Sequence, residues 1–274
     1  MTMKNRKNEG GLRVKGHLKR AYNNSPLISI VTVVFNGEIF LEKTIQSVIN
    51  QNYDNIEYVI IDGSSTDGTI DIIAKYEDKI DYWISEGDKG IYDAMNKGVE
   101  LIRGDWVNFM NAGDLFHNNN TVESLFSDIS TCNCLDVVYG DTEIDYGQFK
   151  RVQKAKDFHE IWKGMIFSHQ SCFVKTEYHK INKYILDYSI AGDFDFFYNM
   201  YKNGGRFRYV NSVVSIMIVE GLSDKNRYES IRQIHNIVNS HNLYFYFLYV
   251  DQFFRKFAKI ILTKKSINAI KRSK

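Results

Sequence analysis

This sequence of 274 residues has few residues that restrict or cross-link the backbone. It contains a single proline, Pro26, and three cysteines, Cys132, Cys134 and Cys172. An odd number of cysteines argues against a disulfide framework, and Cys132-Asn-Cys134 has no second pair at zinc-ligand spacing. We therefore expect reduced thiols and an intracellular, cytoplasmic protein.

Long apolar runs are missing as well. The amino terminus has no apolar core of the signal-peptide type, and no uninterrupted apolar stretch of about 18 residues occurs. The sequence therefore predicts a chain that does not span a bilayer. Its hydrophobic content of 44% is still ample for the buried core of one large domain.

Positive charge is concentrated at the two ends of the chain. The net charge is +2, yet residues 1–24 hold seven Lys/Arg and one acid, and residues 255–274 hold eight Lys/Arg and no acid. The body between them therefore carries about −12, which argues against a nucleic-acid groove through it. The basic ends suit an anionic membrane surface, unless they are simply solvated termini.

Strand-like and helix-like stretches alternate after Pro26. β-Branched and aromatic runs predict buried strands over 27–35, 56–61, 80–84, 106–110 and 136–140, and helical spacing begins near residues 39, 69, 91 and 121. Later stretches predict a hairpin or an irregular excursion after residue 142, a helix that ends at residue 203, strands over 206–210 and 213–219, and a helix over 226–239. Such alternation indicates an α/β, Rossmann-like and mostly parallel sheet with helices on both faces.

Composition divides the chain into three predicted regions. Residues 1–25 are expected to be a flexible basic arm, residues 26–240 the α/β domain, and residues 241–274 an aromatic and basic C-terminal segment of amphipathic helices. Phe253, Phe254 and Phe257 in that segment are interspersed with lysine and arginine. This composition favours a helix lying in a membrane interface, and the alternative is a terminal helix packed on the domain.

Acidic residues follow three of the predicted strands. Asp62, Asp88 and Asp114 should meet at the carboxyl edge of the sheet, where ligands bind in open α/β folds. One acid can accept from a base N–H or a ribose hydroxyl, and another can bind a divalent cation that bridges phosphates. Asp93 and Asn96 are one helical turn apart and either share a ligand or form an ordinary exposed face.

Two common nucleotide motifs are absent. The first strand is not followed by a dinucleotide fingerprint, and no Gly-Lys-Ser/Thr phosphate loop occurs. Hydride transfer and P-loop phosphoryl transfer are therefore disfavoured.

Four ordered motifs resemble the family 2 inverting glycosyltransferases. They are Ser29-Ile-Val-Thr-Val-Val-Phe-Asn36, Ile61-Asp-Gly-Ser-Ser-Thr-Asp-Gly-Thr69, Glu86-Gly-Asp-Lys-Gly-Ile-Tyr-Asp-Ala-Met-Asn-Lys-Gly98 and Phe109-Met-Asn-Ala-Gly-Asp114. The resemblance covers roughly residues 27–203 and looks most like the bacterial colanic-acid and O-antigen type. It implies a GT-A fold, a nucleotide-sugar donor and a divalent cation, Mn²⁺ or Mg²⁺.

By this resemblance, Asp62 would bind the nucleobase in a pocket lined by Phe35, Asp88 would hold the uridine or ribose, and Asp114 would be the metal ligand. Asn111 and Gly113 stand where many members have further acids. Fewer charged ligands imply a metal held largely by the diphosphate and water. The metal and Lys89 would offset charge on the leaving diphosphate.

The resemblance also indicates a catalytic base. Asp193 lies where the family's Glu-Asp motif supplies it, although Gly192 replaces the usual glutamate, and Asp195 is the alternative. His169, followed by Gln170, looks like a pair near the acceptor in this subgroup, unless it is a structural histidine. No Gln-x-x-Arg-Trp motif appears, which disfavours processive synthesis.

We therefore expect a hexosyltransferase that is peripheral on the inner face of the cell membrane. It would move one sugar from a UDP-sugar to a polyprenyl-diphosphate-linked saccharide in lipopolysaccharide or exopolysaccharide biosynthesis. One alternative is a sugar-1-phosphate nucleotidyltransferase, which would need a glycine- and arginine-rich loop where Asn36-Gly37-Glu38 stands. Another is a non-catalytic scaffold that binds nucleotide or sugar, consistent with the small number of acidic residues in the metal motif.

Overall fold

The structure is a computed structural model that describes residues 8–21, 25–126, 134–218, 226–239 and 242–254. The strands are β1 Glu9–Gly10, β2 Ile28–Val34, β3 Ile56–Asp62, β4 Tyr82–Ser85, β5 Trp106–Phe109, β6 Leu115–Phe116, β7 Val137–Asp145, β8 Lys150–Gln153, β9 Cys172–Lys175 and β10 Phe207–Ile218. The helices are α1 Leu41–Ile49, α2 Thr69–Lys75, α3 Ile91–Leu101, α4 Thr121–Phe126, α5 Thr176–Ile181, α6 Gly192–Lys202, α7 Arg227–Val238 and α8, residues 243–254. Short 3₁₀ helices span Phe158–Lys163 and His169–Ser171.

The described strands form one ten-stranded mixed sheet in the order β1-β4-β3-β2-β5-β9-β7-β10-β6, with β8 paired to β7. Strands β4, β3, β2 and β5 are parallel to one another, as are β7 and β10. The carboxyl ends of β2, β3, β4 and β5 therefore meet at a single edge. The predicted α/β architecture is confirmed.

Every residue of β2 and β3 is buried, because an apolar layer covers each face of this part of the sheet. On one face Ile28 and Ile30 pack with Leu41 and Ile45 of α1. On the other face β2 and β3 pack with α3, and that layer continues through the aromatic residues of α6. Each buried aliphatic side chain stabilises the fold by roughly 1.5–3 kcal/mol.

Helix α3 lies unusually close to the sheet. A Cβ placed on Gly98 would lie 2.6 Å from Cγ1 of Val31, so only glycine permits this approach. The approach holds α3 directly against β2 and β3.

Residues 8–21 differ from the predicted flexible arm. β1 pairs antiparallel with β4, and Leu12 N donates to the Ile80 carbonyl at 2.9 Å. Arg13 forms an ion pair with the buried Glu57, with Nη2 2.6 Å from Oε1. Lys19 Nζ contacts Asp81 Oδ2 at 3.0 Å. The stretch has no apolar periodicity because its attachment is through the backbone and these two cations. Residues 1–7 and 22–24 lie outside the described residues.

The second half of the sheet also differs in detail from the sequence prediction. β7 was expected to end before Asp141 but continues to Asp145, where it pairs with β8 as the predicted hairpin. The two strands expected over 206–210 and 213–219 are one strand, β10, with register shifts after Tyr209 and Val213. Gly140 permits this bulge, because a Cβ there would lie 2.6 Å from the Ser212 carbonyl oxygen.

Several predicted features fall partly outside the description. The helix expected to reach residue 130 is described to Phe126, and the basic residues at 255–274 are not described. No helix within the described residues has both the length and the apolar character needed to cross a bilayer.

Candidate active site

The first part of the site is a buried carboxylate at the end of β3. Asp62 Oδ2 accepts hydrogen bonds from Ser85 Oγ at 2.6 Å and from Ser65 N at 3.0 Å. Its other oxygen, Oδ1, is buried with no hydrogen-bond partner. A buried acceptor of this kind is normally satisfied, so Asp62 is available to accept from a ligand N–H or O–H.

Asp88 and Phe35 lie beside Asp62, at its neighbour Gly63. A Cβ placed on Gly63 would lie 2.5 Å from Asp88 Oδ2 and 3.4 Å from Phe35 Cδ2. The Phe35 side chain is 65% exposed, and Asp88 Oδ1 accepts from Gly90 N at 2.8 Å. An exposed ring next to two carboxylates can stack on a base while the acids accept from its N–H groups or from a ribose.

Cross-links hold the Phe35 loop in place. Asn36 adopts a positive φ of 50°, its backbone N donates to Ser65 Oγ at 2.7 Å, and its side chain accepts from Thr66 N at 2.9 Å. Gly37 N donates to Thr69 Oγ1 at 2.9 Å. The loops after β2 and β3 are therefore one hydrogen-bonded unit.

The residues predicted around the start of α3 have different surroundings. The side chain of Lys89 is exposed, and its backbone N donates to Asp93 Oδ2 at 3.0 Å. Both polar atoms of the Asn96 amide bind the backbone of Tyr184, each at 2.9 Å. The Asn96 amide therefore holds the segment that precedes α6, and a ligand shared by Asp93 and Asn96 stays a prediction.

Asp114 follows β5 and is almost fully buried. Gln170 Nε2 donates to its Oδ2 at 2.8 Å, while Thr44 Oγ1 donates to its backbone carbonyl at 2.9 Å. Burial raises the pKa of Asp114 to about 6, against the opposing effects of nearby His169 and of the Gln170 hydrogen bond. A neighbouring cation would favour the ionised carboxylate.

Within the described residues, two oxygen atoms near the end of β5 are available to a metal ion. Asp114 contributes a carboxylate, and Asn111 contributes a buried Oδ1 that has no hydrogen-bond partner. No group of three or more His, Cys, Asp or Glu side chains within the described residues could hold a metal ion. Two oxygen donors fit a hard divalent cation whose remaining ligands come from a diphosphate and water.

Asp193, in the first turn of α6, lies near the loop after β5 that carries Asn111 and Asp114. Its Oδ2 lies 3.4 Å from His169 Nδ1, and His169 Nε2 lies 2.9 Å from Asn111 Nδ2. Tyr92 OH lies 3.1 Å from Asp193 Oδ1 and 2.6 Å from the Ile190 carbonyl oxygen. Asn111, His169 and Asp193 thus form a polar line that joins the end of β5 to α6.

The replacement at position 192 has a steric explanation. A Cβ on Gly192 would lie 2.8 Å from Cε2 of Tyr92, so the tyrosine ring occupies the space that a larger side chain would need. Asp195 is buried on the opposite side of the first turn, and burial raises its pKa against a hydrogen bond from Asn199. Asp193, which contacts His169, is the better placed of the two acids.

Sequence reasoning missed Tyr92 and Ser85 as parts of the site, and it named Gln170 without its contact to Asp114. Tyr92 lies inside the Gly90-Ile-Tyr-Asp motif, which was the available signal for it. Ser85 and Gln170 act through contacts with Asp62 and Asp114, which are distant in sequence. No local pattern marks such contacts.

Comparison with known proteins identifies the family. The Glycosyl transferase family 2 model matches residues 29–198, so the chain belongs to this family, and the prediction of a glycosyltransferase is confirmed at that level. A "PGL/p-HBAD biosynthesis glycosyltransferase" of Mycobacterium bovis (strain BCG / Pasteur 1173P2) is 30% identical over 196 residues, which cover 70% of this chain and 76% of the relative.

Solved structures at lower identity show the same GT-A fold. S. aureus TarS 1-349 in complex with UDP-GlcNAc has a TM-score of 0.60 at 18% identity, over 78% of this chain and 67% of that one. The mannosyltransferase PcManGT from Pyrobaculum calidifontis, in complex with GDP-Man and Mn2+, has a TM-score of 0.61 at 18% identity, over 77% of this chain and 63% of that one. The match covers only 38% of the longer TarS structure.

Proposed function

We propose that this chain is an inverting, non-processive glycosyltransferase that moves one sugar from a nucleotide-sugar donor to a hydroxyl of a lipid-linked glycan in surface polysaccharide synthesis. The observation that carries the proposal is the line from Asn111 through His169 to Asp193. It places a carboxylate, oriented by an imidazole, next to the loop that would hold the donor diphosphate. The bound ligands named for TarS and PcManGT support a nucleotide-sugar donor, and UDP is our first choice.

The donor half of the site is assigned to the carboxyl ends of β2, β3 and β4. Asp62 accepts from the nucleobase through its unpartnered Oδ1, and the ring of Phe35 stacks on the base. Asp88 accepts from the ribose hydroxyls. Lys89, whose ammonium is exposed at the start of α3, lies where it can approach a diphosphate.

Asp114 and Asn111 would hold the Mn²⁺ or Mg²⁺. When bound, the cation offsets the negative charge that develops on the departing nucleoside diphosphate. Asn111 meanwhile keeps His169 in place through its Nδ2.

The acceptor half is assigned to Asp193 and His169. Asp193 Oδ2 removes the proton from the acceptor hydroxyl as that oxygen attacks the anomeric carbon from the face opposite the diphosphate. The bond between the anomeric carbon and the phosphate oxygen breaks, so the configuration inverts. With its proton on Nδ1, His169 holds the carboxylate toward the cleft.

An exposed apolar face of α8 supports a lipid-linked acceptor. Helix α8 packs on α7 through the buried Phe245, which stacks on His235 at 4.6 Å. Its other face exposes apolar side chains at helical spacing, namely Leu243, Phe247, Val250 and Phe254. The sequence that follows carries eight Lys/Arg and no acid, which complements an anionic bilayer on the cytoplasmic face.

A binding panel tests the donor assignment. Purified protein with Mn²⁺ is titrated with UDP, GDP and dTDP and then incubated with the matching nucleotide sugars. We expect one nucleotide to bind and its sugar to be released slowly to water. Asp62→Asn should weaken binding by about 1.5–3 kcal/mol, the usual contribution of a charged hydrogen bond. The control Asp71→Asn, at an exposed position of α2, should bind normally. Absence of binding for every nucleotide would refute the proposal.

A further inference from the structure

Residues 8–13 run along the outer edge of β4, which without them would be the edge strand of the sheet. Ser85 N donates to the Asn8 carbonyl at 2.7 Å at the site end of β4, and Arg13 N donates to the Asp81 carbonyl at 2.8 Å near its start. We call residues 8–13 the N-terminal strap. The strap lies outside the part of the chain that matches the family model.

The side chain of Arg13 joins three elements that carry predicted donor-binding residues. Nη2 contacts Glu57 of β3 at 2.6 Å, Nη1 donates to the Leu101 carbonyl of α3 at 2.7 Å, and the guanidinium lies 5.0 Å from the ring centre of Tyr82 on β4. Asp62 is the last residue of β3, Asp88 follows β4, and Lys89 precedes α3. A planar cation with several donors can make these contacts at once, whereas lysine could not.

At its other end the strap reaches Asp62 through one residue. Asn8 binds the backbone N of Ser85, and the Ser85 hydroxyl donates to Asp62 Oδ2 at 2.6 Å. Glu86 N also donates to the Asp62 backbone carbonyl at 2.9 Å, so the end of β4 binds both the backbone and the carboxylate of Asp62. Displacing the strap would remove a fixed neighbour from Ser85.

We propose that the N-terminal strap, through Arg13, is a positioning element for the nucleotide site, and that strap docking and nucleotide binding strengthen each other. This inference rests on the proposed function, because it assigns the nucleotide to Asp62 and Asp88. Linkage requires the coupling to be reciprocal. A docked strap raises nucleotide affinity, and a bound nucleotide protects the strap to the same extent.

Two variants that act by different routes test the coupling. Arg13→Gln removes the cation, whereas Gly10→Val blocks docking sterically, because a Cβ there would lie 2.5 Å from Nε1 of Trp83. The control Lys15→Gln loses the same charge from an exposed position of the same segment. Binding of UDP with Mn²⁺ is measured by titration calorimetry on full chains that thermal melts show to be folded.

We expect both strap variants to weaken UDP binding about fivefold or more, the lower end of ordinary coupling between sites, with Lys15→Gln unchanged. Hydrogen exchange supplies a readout that a purely structural role would not move. UDP should slow exchange of the backbone amides of residues 9–13 in the native chain and in Lys15→Gln.

Native affinity in both folded strap variants, or strap exchange that UDP leaves unchanged, would overturn the inference while leaving the proposed function intact. A native chain that binds no UDP, GDP or dTDP would overturn the proposed function and this inference with it.

Discussion

At the scale of single residues, the proposed site contains buried polar atoms that have no hydrogen-bond partner. Asp62 Oδ1 and Asn111 Oδ1 both lack hydrogen-bond partners, and both lie at the carboxyl edge of the central strands. Leaving a buried acceptor unpaired costs roughly 1–3 kcal/mol. A donor nucleotide and its cation would remove that cost on binding.

Another unpartnered residue, His179, has a different role. Both of its ring nitrogens are buried without hydrogen-bond partners, and the ring stacks on Phe196 at 4.3 Å. Burial lowers the pKa of His179 from 6.5 to about 4. The imidazole therefore acts as an apolar ring in the core and stays neutral in the folded state.

His179 should make stability depend on pH. Because its pKa is lower in the folded than in the unfolded chain, its contribution is present above pH 6.5 and is lost as pH falls toward 4. A difference of this size corresponds to about 3 kcal/mol. Relative to His179→Phe, the native chain should lose that much free energy of unfolding across this window, as measured by urea unfolding at several pH values.

The comparison with His179→Phe isolates this residue. Asp114 has its pKa raised to about 6, so its contribution changes in the opposite direction over nearly the same range. That contribution is common to both proteins and cancels in the difference. Parallel stability curves for the two proteins would show that His179 does not titrate as described.

At the scale of elements, close approaches decide where Asp193, the proposed catalytic base, lies. α6 begins at Gly192, directly against the ring of Tyr92 on α3, and Tyr92 also contacts Asp193 and the carbonyl before the helix. Asn96 holds the neighbouring segment through Tyr184. Together these contacts dock the start of α6 on α3.

Gly192→Ala should disturb this docking. The new methyl group would lie 2.8 Å from the buried Tyr92 ring, so either the ring or the helix must shift. We expect a loss of about 1–3 kcal/mol in stability, as for other overpacked sites, and a lower kcat with nucleotide affinity retained. The control Gly87→Ala has nothing within 4 Å of the added carbon and should melt at the native temperature. Equal melting temperatures for the two variants would contradict this description of the interface.

Helix α8 offers a second test at this scale. Phe247 is 70% exposed on its apolar face, so Phe247→Ser should reduce binding to anionic phosphatidylglycerol vesicles by about tenfold, given the apolar area a phenyl ring buries. Phe149→Ser, at an exposed aromatic residue of the β7–β8 hairpin, is the matched control. Cosedimentation with vesicles measures both. If the two substitutions reduce binding equally or not at all, α8 is not the contact surface.

At the scale of the whole molecule, the sequence predicted the features that recur along the chain, namely the buried strands and the acidic residues at their ends. Continuous apolar runs predicted β2 and β3, and carboxylates directly after strands predicted that Asp62, Asp88 and Asp114 would share one edge. These features depend on local period and on the rule that parallel strands end together. The family motifs added expected roles for individual residues, which the periodicity of the sequence cannot supply.

Contacts between distant residues could not be predicted in this way. Arg13 reaches Glu57 and Leu101, Asn96 reaches Tyr184, and none of these contacts leaves a period in the sequence. The sequence therefore predicts a flexible arm where the structure has the strap. Likewise, β7 runs past Asp141 because β8 returns to pair with it, which is a tertiary effect on strand length.

The most direct test of the account is a comparison of Asp193→Asn with Asp195→Asn in a transfer assay, using the nucleotide sugar that the panel identifies. Both changes keep the side-chain shape. Asp193→Asn should lower kcat by about 10²–10⁴, the usual contribution of a general base, and keep donor affinity within about twofold, since Asp193 lies on the acceptor side. Asp195→Asn should retain most of its turnover. Native turnover in Asp193→Asn would contradict the central claim that this carboxylate activates the acceptor.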